Sequence, residues 1–196
     1  MQLMKSVQAI LMVASATVFM VSCQGNWKEE NPKKVAEEHN DAKFEKAEEK
    51  DAQSVVDVYV WGMTEIRLAD TVKKYATTQE AKDLAETLSA AHKQFNGQLL
   101  DIAGSKQISL PADLTNEQKK DIESMIEKKR SEFDKDYASA MVTRHKDEIS
   151  NFEKCEKECK DADIRAWFTA ALPELRKQLD MSMSTEEKLK GTAAIK

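Results

Sequence analysis

A chain of 196 residues, 41% of them hydrophobic, can bury one respectable core and shows no sign of two independent domains. Five Gly and three Pro are too few for a β-rich or loop-rich protein, while Ala, Glu, Lys, Leu and Met dominate, so composition predicts an all-α fold. The net charge of −5 comes from interleaved acids and bases rather than blocks, which excludes the electrostatic footprint of a nucleic-acid binder.

After Lys5 the stretch SVQAILMVASATVFMVSC is largely apolar, yet shorter than the roughly 20 apolar residues needed to cross about 30 Å of hydrocarbon. It has the cationic start, apolar middle and small-residue exit of a secretory signal. Its ending, Met20, Val21, Ser22 and Cys23, resembles the lipobox of bacterial lipoproteins, in which the chain is cut before a Cys that is then lipidated. The resemblance implies a signal peptide over 1–22 and a lipidated Cys23. Several acyl chains there make a stable anchor, where one alone holds only marginally. The alternative is an ordinary cleaved signal with a chance Cys. Gln24 rather than Asp follows Cys23, and by analogy with lipoprotein sorting this favours the outer membrane over the inner, with the body in the periplasm or at the cell surface.

From Gln24 to Lys50 the chain is polar, with Pro32 at a plausible first helical position, and residues 23–50 read as a partly helical tether in which His39 is solvated. Trp27, beside the anchor, suits a membrane interface. The bundle domain is expected over 51–182. Its first helix starts at Ser54 and runs to about Ala76. Thr77 opens TTQE, a capping box with Glu80, so a second helix follows in a tight antiparallel hairpin. Its stripe is Leu84, Ala85, Leu88, His92, Phe95, Leu99 and Ala103, and Gly104 suits the left-handed position that ends a helix. After the loop SKQISLPAD, Thr115 opens a second box, TNEQ, and a short charged helix to about Arg130. From Ser131 a long helix carries Asp134, Ala138, Met141, His145, Ile149 and Phe152 on one stripe. KDADI breaks it. A last helix from about Asp163 carries Ile164, Trp167, Phe168, Ala171, Leu175, Gln178 and Leu179, with Pro173 expected to bend it near Thr169. Residues 183–196 read as a polar tail. The expected architecture is therefore an antiparallel four-helix bundle with an extra short helix.

Each main helix places a polar residue on its apolar stripe: Glu65 in VYVWGMTEIRLADTV, then His92, then His145 with Asp134 on the same helix, then Gln178. Residues equally distant from a hairpin loop face each other. Glu65 then lies opposite about residue 90, near His92, and His145 opposite about residue 177, next to Gln178. A buried carboxylate needs partners, so three readings stay open: a polar network that fixes register, a transition-metal site for zinc, iron or manganese, or polar groups that never converge. An oxygen-activating di-iron centre is not expected, because the Glu-x-x-His pairs it uses are missing: position 89 is Ser and position 142 is Val.

Cys155 and Cys159, four apart near the end of the long helix, are a possible disulfide if the last turn unwinds, since a regular helix aims the two side chains poorly. No Gly-rich phosphate loop or nucleophile elbow appears, so neither nucleotide-dependent nor hydrolytic activity has positive support.

Several weak motifs occur in a telling order: VAEEHNDAKFEKAEEKDAQSVVDVY, TEIRLAD, AHKQFNGQLLDIA, LPADL, FDKDYASAMVTRHKDEISNFE and WFTAALPELRKQL. Over about residues 33 to 180 they resemble family 4142 of domains of unknown function, bacterial envelope proteins labelled as outer-membrane proteins and assigned a ferritin-like bundle. The family pattern implies site residues at Glu65, His92, Asp134 and His145. It departs at position 91, Ala where an Asp is usual, and at Gln178, where a His is usual. Both departures remove ligands. The expected function is a lipid-anchored envelope protein of binding or structural type with an unidentified protein or small-molecule partner, or alternatively a metal-binding bundle with a stress or redox role.

Overall fold

The computed structural model describes residues 31–126 and 130–193. The signal segment, Cys23 and Trp27 lie outside the described residues. Among the described residues six helices follow one another: α1 (Pro32–Asp41), α2 (Lys46–Tyr75), α3 (Gln79–Lys106), α4 (Asn116–Ile126), α5 (Arg130–Glu158) and α6 (Ala162–Ala193). Among the described residues there is no strand. Helices α2, α3, α5 and α6 form the bundle, α2 pairing with α3 and α5 with α6 as the two hairpins, while α3 packs on α6 and α2 on α5 to close it. The short α4 lies against α2 and α5, and among the described residues no helix is long and apolar enough to cross a membrane.

Local chemistry sets most of the boundaries. Asn31 caps α1 by accepting from the Lys33 and Lys34 amides, with Pro32 at the first helical position. The TNEQ box forms reciprocally: Thr115 Oγ1 accepts from the Gln118 amide at 3.2 Å and Gln118 Oε1 from the Thr115 amide at 2.9 Å. In TTQE the cap is Thr78 rather than Thr77. Gly104 does not end α3; Gln107 does, in the left-handed region at φ 59°, because the helix runs on one more turn. Helix α2 begins at Lys46, eight residues before Ser54, whose hydroxyl donates to the Lys50 carbonyl instead of capping.

The tether and tail are more ordered than composition implies. Ala36 and Asn40 of α1 are buried, and the Asn40 amide exchanges two hydrogen bonds with the Ser109 backbone, at 3.0 and 2.7 Å. Helix α6 passes through Pro173 and continues to Ala193, burying Thr185 and Leu189 within the stretch expected as a tail.

Each hairpin loop is held by a buried carboxylate from the other hairpin. Asp134 on α5 accepts from the Thr77 amide at 3.0 Å, the Thr77 hydroxyl at 2.9 Å and the Thr78 amide at 2.7 Å. At the opposite end Asp51 on α2 accepts from the Lys160 and Asp161 amides at 2.8 and 2.6 Å. These amides precede or open helices and have no intrahelical partner, so the carboxylates satisfy donors that burial would otherwise penalise. Asp134 is thus a loop clamp and not a member of the interior layer.

At Gly62, α2 comes close to α3. A Cβ there would lie 2.2 Å from Asn96 Oδ1 and 2.9 Å from its Cγ, and Asn96 is buried and donates to the Tyr59 carbonyl at 3.2 Å. Gly62→Ala should therefore destabilise the protein by about 1–3 kcal/mol. Gly97→Ala, on the exposed face of α3 with nothing within 4 Å, should stabilise it by about 0.5–1 kcal/mol. Thermal melts reporting the same sign for both would refute the contact.

Candidate functional site

Two polar features occupy the bundle, a closed interior seam and a cavity open to solvent. In the seam Glu65 is 1% exposed, and its Oε1 accepts a hydrogen bond from Arg144 Nε. Arg144 reaches in from α5 while the rest of its side chain stays about one-third exposed. The fully buried Tyr137 sits near this pair. Burial pushes its phenol well above the ordinary range, and the Glu65 charge adds to the shift.

One turn along α2, the Trp61 ring meets His92 edge-on at 4.6 Å and His145 at 5.6 Å, and the two imidazoles lie 5.7 Å apart. His92 is fully buried. Desolvation, followed by the neighbouring His145 and Arg144 charges, holds its pKa well below the usual imidazole value, so it is neutral at pH 7. His145 Nδ1 donates to the Met141 carbonyl at 2.8 Å, and its Nε2 lies 3.2 Å from Gln178 Oε1. That contact is a hydrogen bond for a doubly protonated ring. A neutral ring accepts there from the Gln178 amide turned end for end. The predicted pairing of His145 with Gln178 is therefore present, and the two hairpins bring His92 and His145 together. His92 faces Trp61 rather than Glu65, which has Arg144 instead.

Do these residues fit the transition metal that the ferritin-like resemblance brings to mind? Glu65 Oε2 and both His92 nitrogens have no hydrogen-bond partner among the described residues, and they are the donors such an ion would use. Against them, Asp134 holds the α2–α3 loop, both His145 nitrogens face protein atoms, and a guanidinium occupies the carboxylate where a cation would have to sit. Among the described residues no group of three or more His, Cys, Asp or Glu side chains is placed to hold a metal. The seam does not fit a metal centre.

The second feature is a cavity of about 400 Å³ between the first half of α2 and the last half of α5, lined by Asp51, Ser54, Asp57, Glu148, Cys155 and Cys159 among others. Glu148 is buried, and desolvation lifts its carboxyl to about 7, with Cys155 and Glu65 adding to the rise. The Asn151 amide, which donates to Oε2 at 3.2 Å, opposes it, as does Arg144. Glu148 is thus within electrostatic reach of both the seam and the thiols. Both cysteines are free thiols, Cys155 half-buried and Cys159 buried. A hydrogen bond between them pulls Cys155 down to about 7, aided by the Ser54 hydroxyl and Lys154, and pushes Cys159 up.

Arg144 and Glu148 were not among the expected site residues. Arg144 directly precedes His145, and Glu148 follows it by three, a helical step that returns to the same face. The chain has no match among curated proteins or solved structures. Residues 36–184 match the family model described as Domain of unknown function (DUF4142), and the chain, arranged as this all-helical bundle, belongs to that family.

Proposed function

We propose that the protein is a lipid-anchored binding module of the bacterial envelope, held at the outer membrane through Cys23 and presenting the α2–α5 cavity to a small-molecule ligand. The observation that carries this reading is the division of labour between the two polar features. The seam closes on itself, with Arg144 neutralising Glu65, while the cavity exposes ionisable side chains and has a volume within the roughly 300–1,000 Å³ usual for ligand sites. Anchoring is supported by the Met20 to Cys23 motif.

Cells fed a clickable fatty-acid analogue should label the wild-type protein, and Cys23→Ala should abolish the label; equal labelling of both would overturn the anchor. Elemental analysis of the purified protein should find no stoichiometric transition metal. Metal present in the wild type and lost in Glu65→Ala and His92→Ala would replace the binding-module reading with a metal-binding one.

A further inference from the structure

We propose that the α2–α5 cavity is a thiol–disulfide exchange site, in which Cys155 attacks a low-molecular-weight disulfide and Cys159 resolves the product. The proposal uses the cavity assigned above as the ligand-facing surface and is independent of the anchor, so either can fail alone.

The two thiols differ in the way such a pair requires. Cys155 is half-buried on the cavity wall and can be reached by a small disulfide, whereas Cys159 is 4% exposed and shielded from direct attack. The neighbouring Cys159 pulls the accessible Cys155 down to about 7, so that it is roughly half ionised at neutral pH. Cys159 is also the first residue beyond the end of α5, pinned to the last turn by its amide bond to the Cys155 carbonyl at 3.0 Å. A bond between the sulfurs requires that turn to open, because side chains four apart on a regular helix are poorly aimed for it. The disulfide so formed is strained and readily reduced, a property that suits cycling rather than permanent cross-linking.

The Cys155 thiolate attacks one sulfur of R–S–S–R, forming Cys155–S–S–R and expelling RS⁻. The Cys159 thiol gives its proton to the RS⁻ released in the first step and attacks the Cys155 sulfur, expelling the second RS⁻, which takes up the proton that Cys155 had released to solvent. The protein dithiol loses two electrons and two protons, and the external disulfide becomes two molecules of R–SH.

The test uses the full-length chain, purified in detergent, reduced, and exposed to 2-hydroxyethyl disulfide at pH 7.5. The peptide carrying both cysteines is then followed by mass spectrometry. Wild type should lose two hydrogens from that peptide and keep no adduct. Cys159→Ser should trap one mercaptoethanol adduct on Cys155, and Cys155→Ser should react about tenfold more slowly or less. A stable adduct on wild type, or equal rates for Cys155→Ser and Cys159→Ser, would overturn the proposal. Helical circular dichroism establishes that each variant is folded, and Cys155→Ala replaces Cys155→Ser if the latter is not.

Discussion

Replacing Arg144 with Met should destabilise the protein by about 3 kcal/mol, the low end of the 3–5 kcal/mol lost when one member of a buried ion pair is removed. The low end applies because Arg144 is about one-third exposed, so the pair is not wholly desolvated. Its aliphatic stem packs inward with the charged head at the end, and Met conserves most of that packing while deleting the charge. Glu65, 1% exposed, is then left as a buried carboxylate without its guanidinium partner. The converse change, Glu65→Gln, should cost only about 1–2 kcal/mol, because the freed guanidinium can swing toward water. The double variant should recover at least half of the Arg144→Met loss. Urea unfolding followed by circular dichroism measures all three. Two single variants of equal effect, with a double variant equal to their sum, would mean that the pair does not interact.

Glu148→Gln should change the pH dependence of stability by about 3 kcal/mol. In the folded protein this carboxyl titrates at about 7, against 4.5 when unfolded. Between those values the folded state holds more protons than the unfolded one, so the wild type loses stability as pH rises from about 4.5 to 7 and levels off above, at about 1.4 kcal/mol per unit. His92 acts in the opposite sense. Its folded value lies below the 6.5 of the free group, so its contribution is present above that pH and is lost as pH falls. Comparing wild type with Glu148→Gln at each pH cancels the His92 part. The variant should match wild type near pH 4.5 and exceed it at pH 8, and a difference independent of pH would show that Glu148 is not held protonated by its surroundings.

The fold was legible because it rests on repeated, redundant signals. The spacing of Leu84, Leu88, Phe95 and Leu99, the TNEQ box and the short hairpin loops each point to antiparallel helices, and no single misplaced boundary disturbs that result. Buried charges were less legible. A stripe is recognised by its apolar members, so Glu148 beside Ile149 and Arg144 beside His145 read as ordinary solvent-facing residues of a highly charged helix. Asp134 misled for a different reason. It shares a stripe with His145 but lies 11 residues away, about 16 Å along the axis, which puts it level with a loop rather than with the imidazoles. Arg144 also explains why a carboxylate is tolerated in the middle of α2, an answer that required knowing which face of α5 meets it.

The docking of α1 fixes how far the body can stand from a bilayer. Because Asn40 is tied to Ser109 and Ala36 is buried, α1 belongs to the folded body from Asn31 onward. A lipid at Cys23, as proposed, leaves an eight-residue leash that spans at most about 28 Å whatever its conformation. The folded rod would then ride close to the headgroups, and its choice of ligands would be limited to solutes that diffuse through that narrow layer.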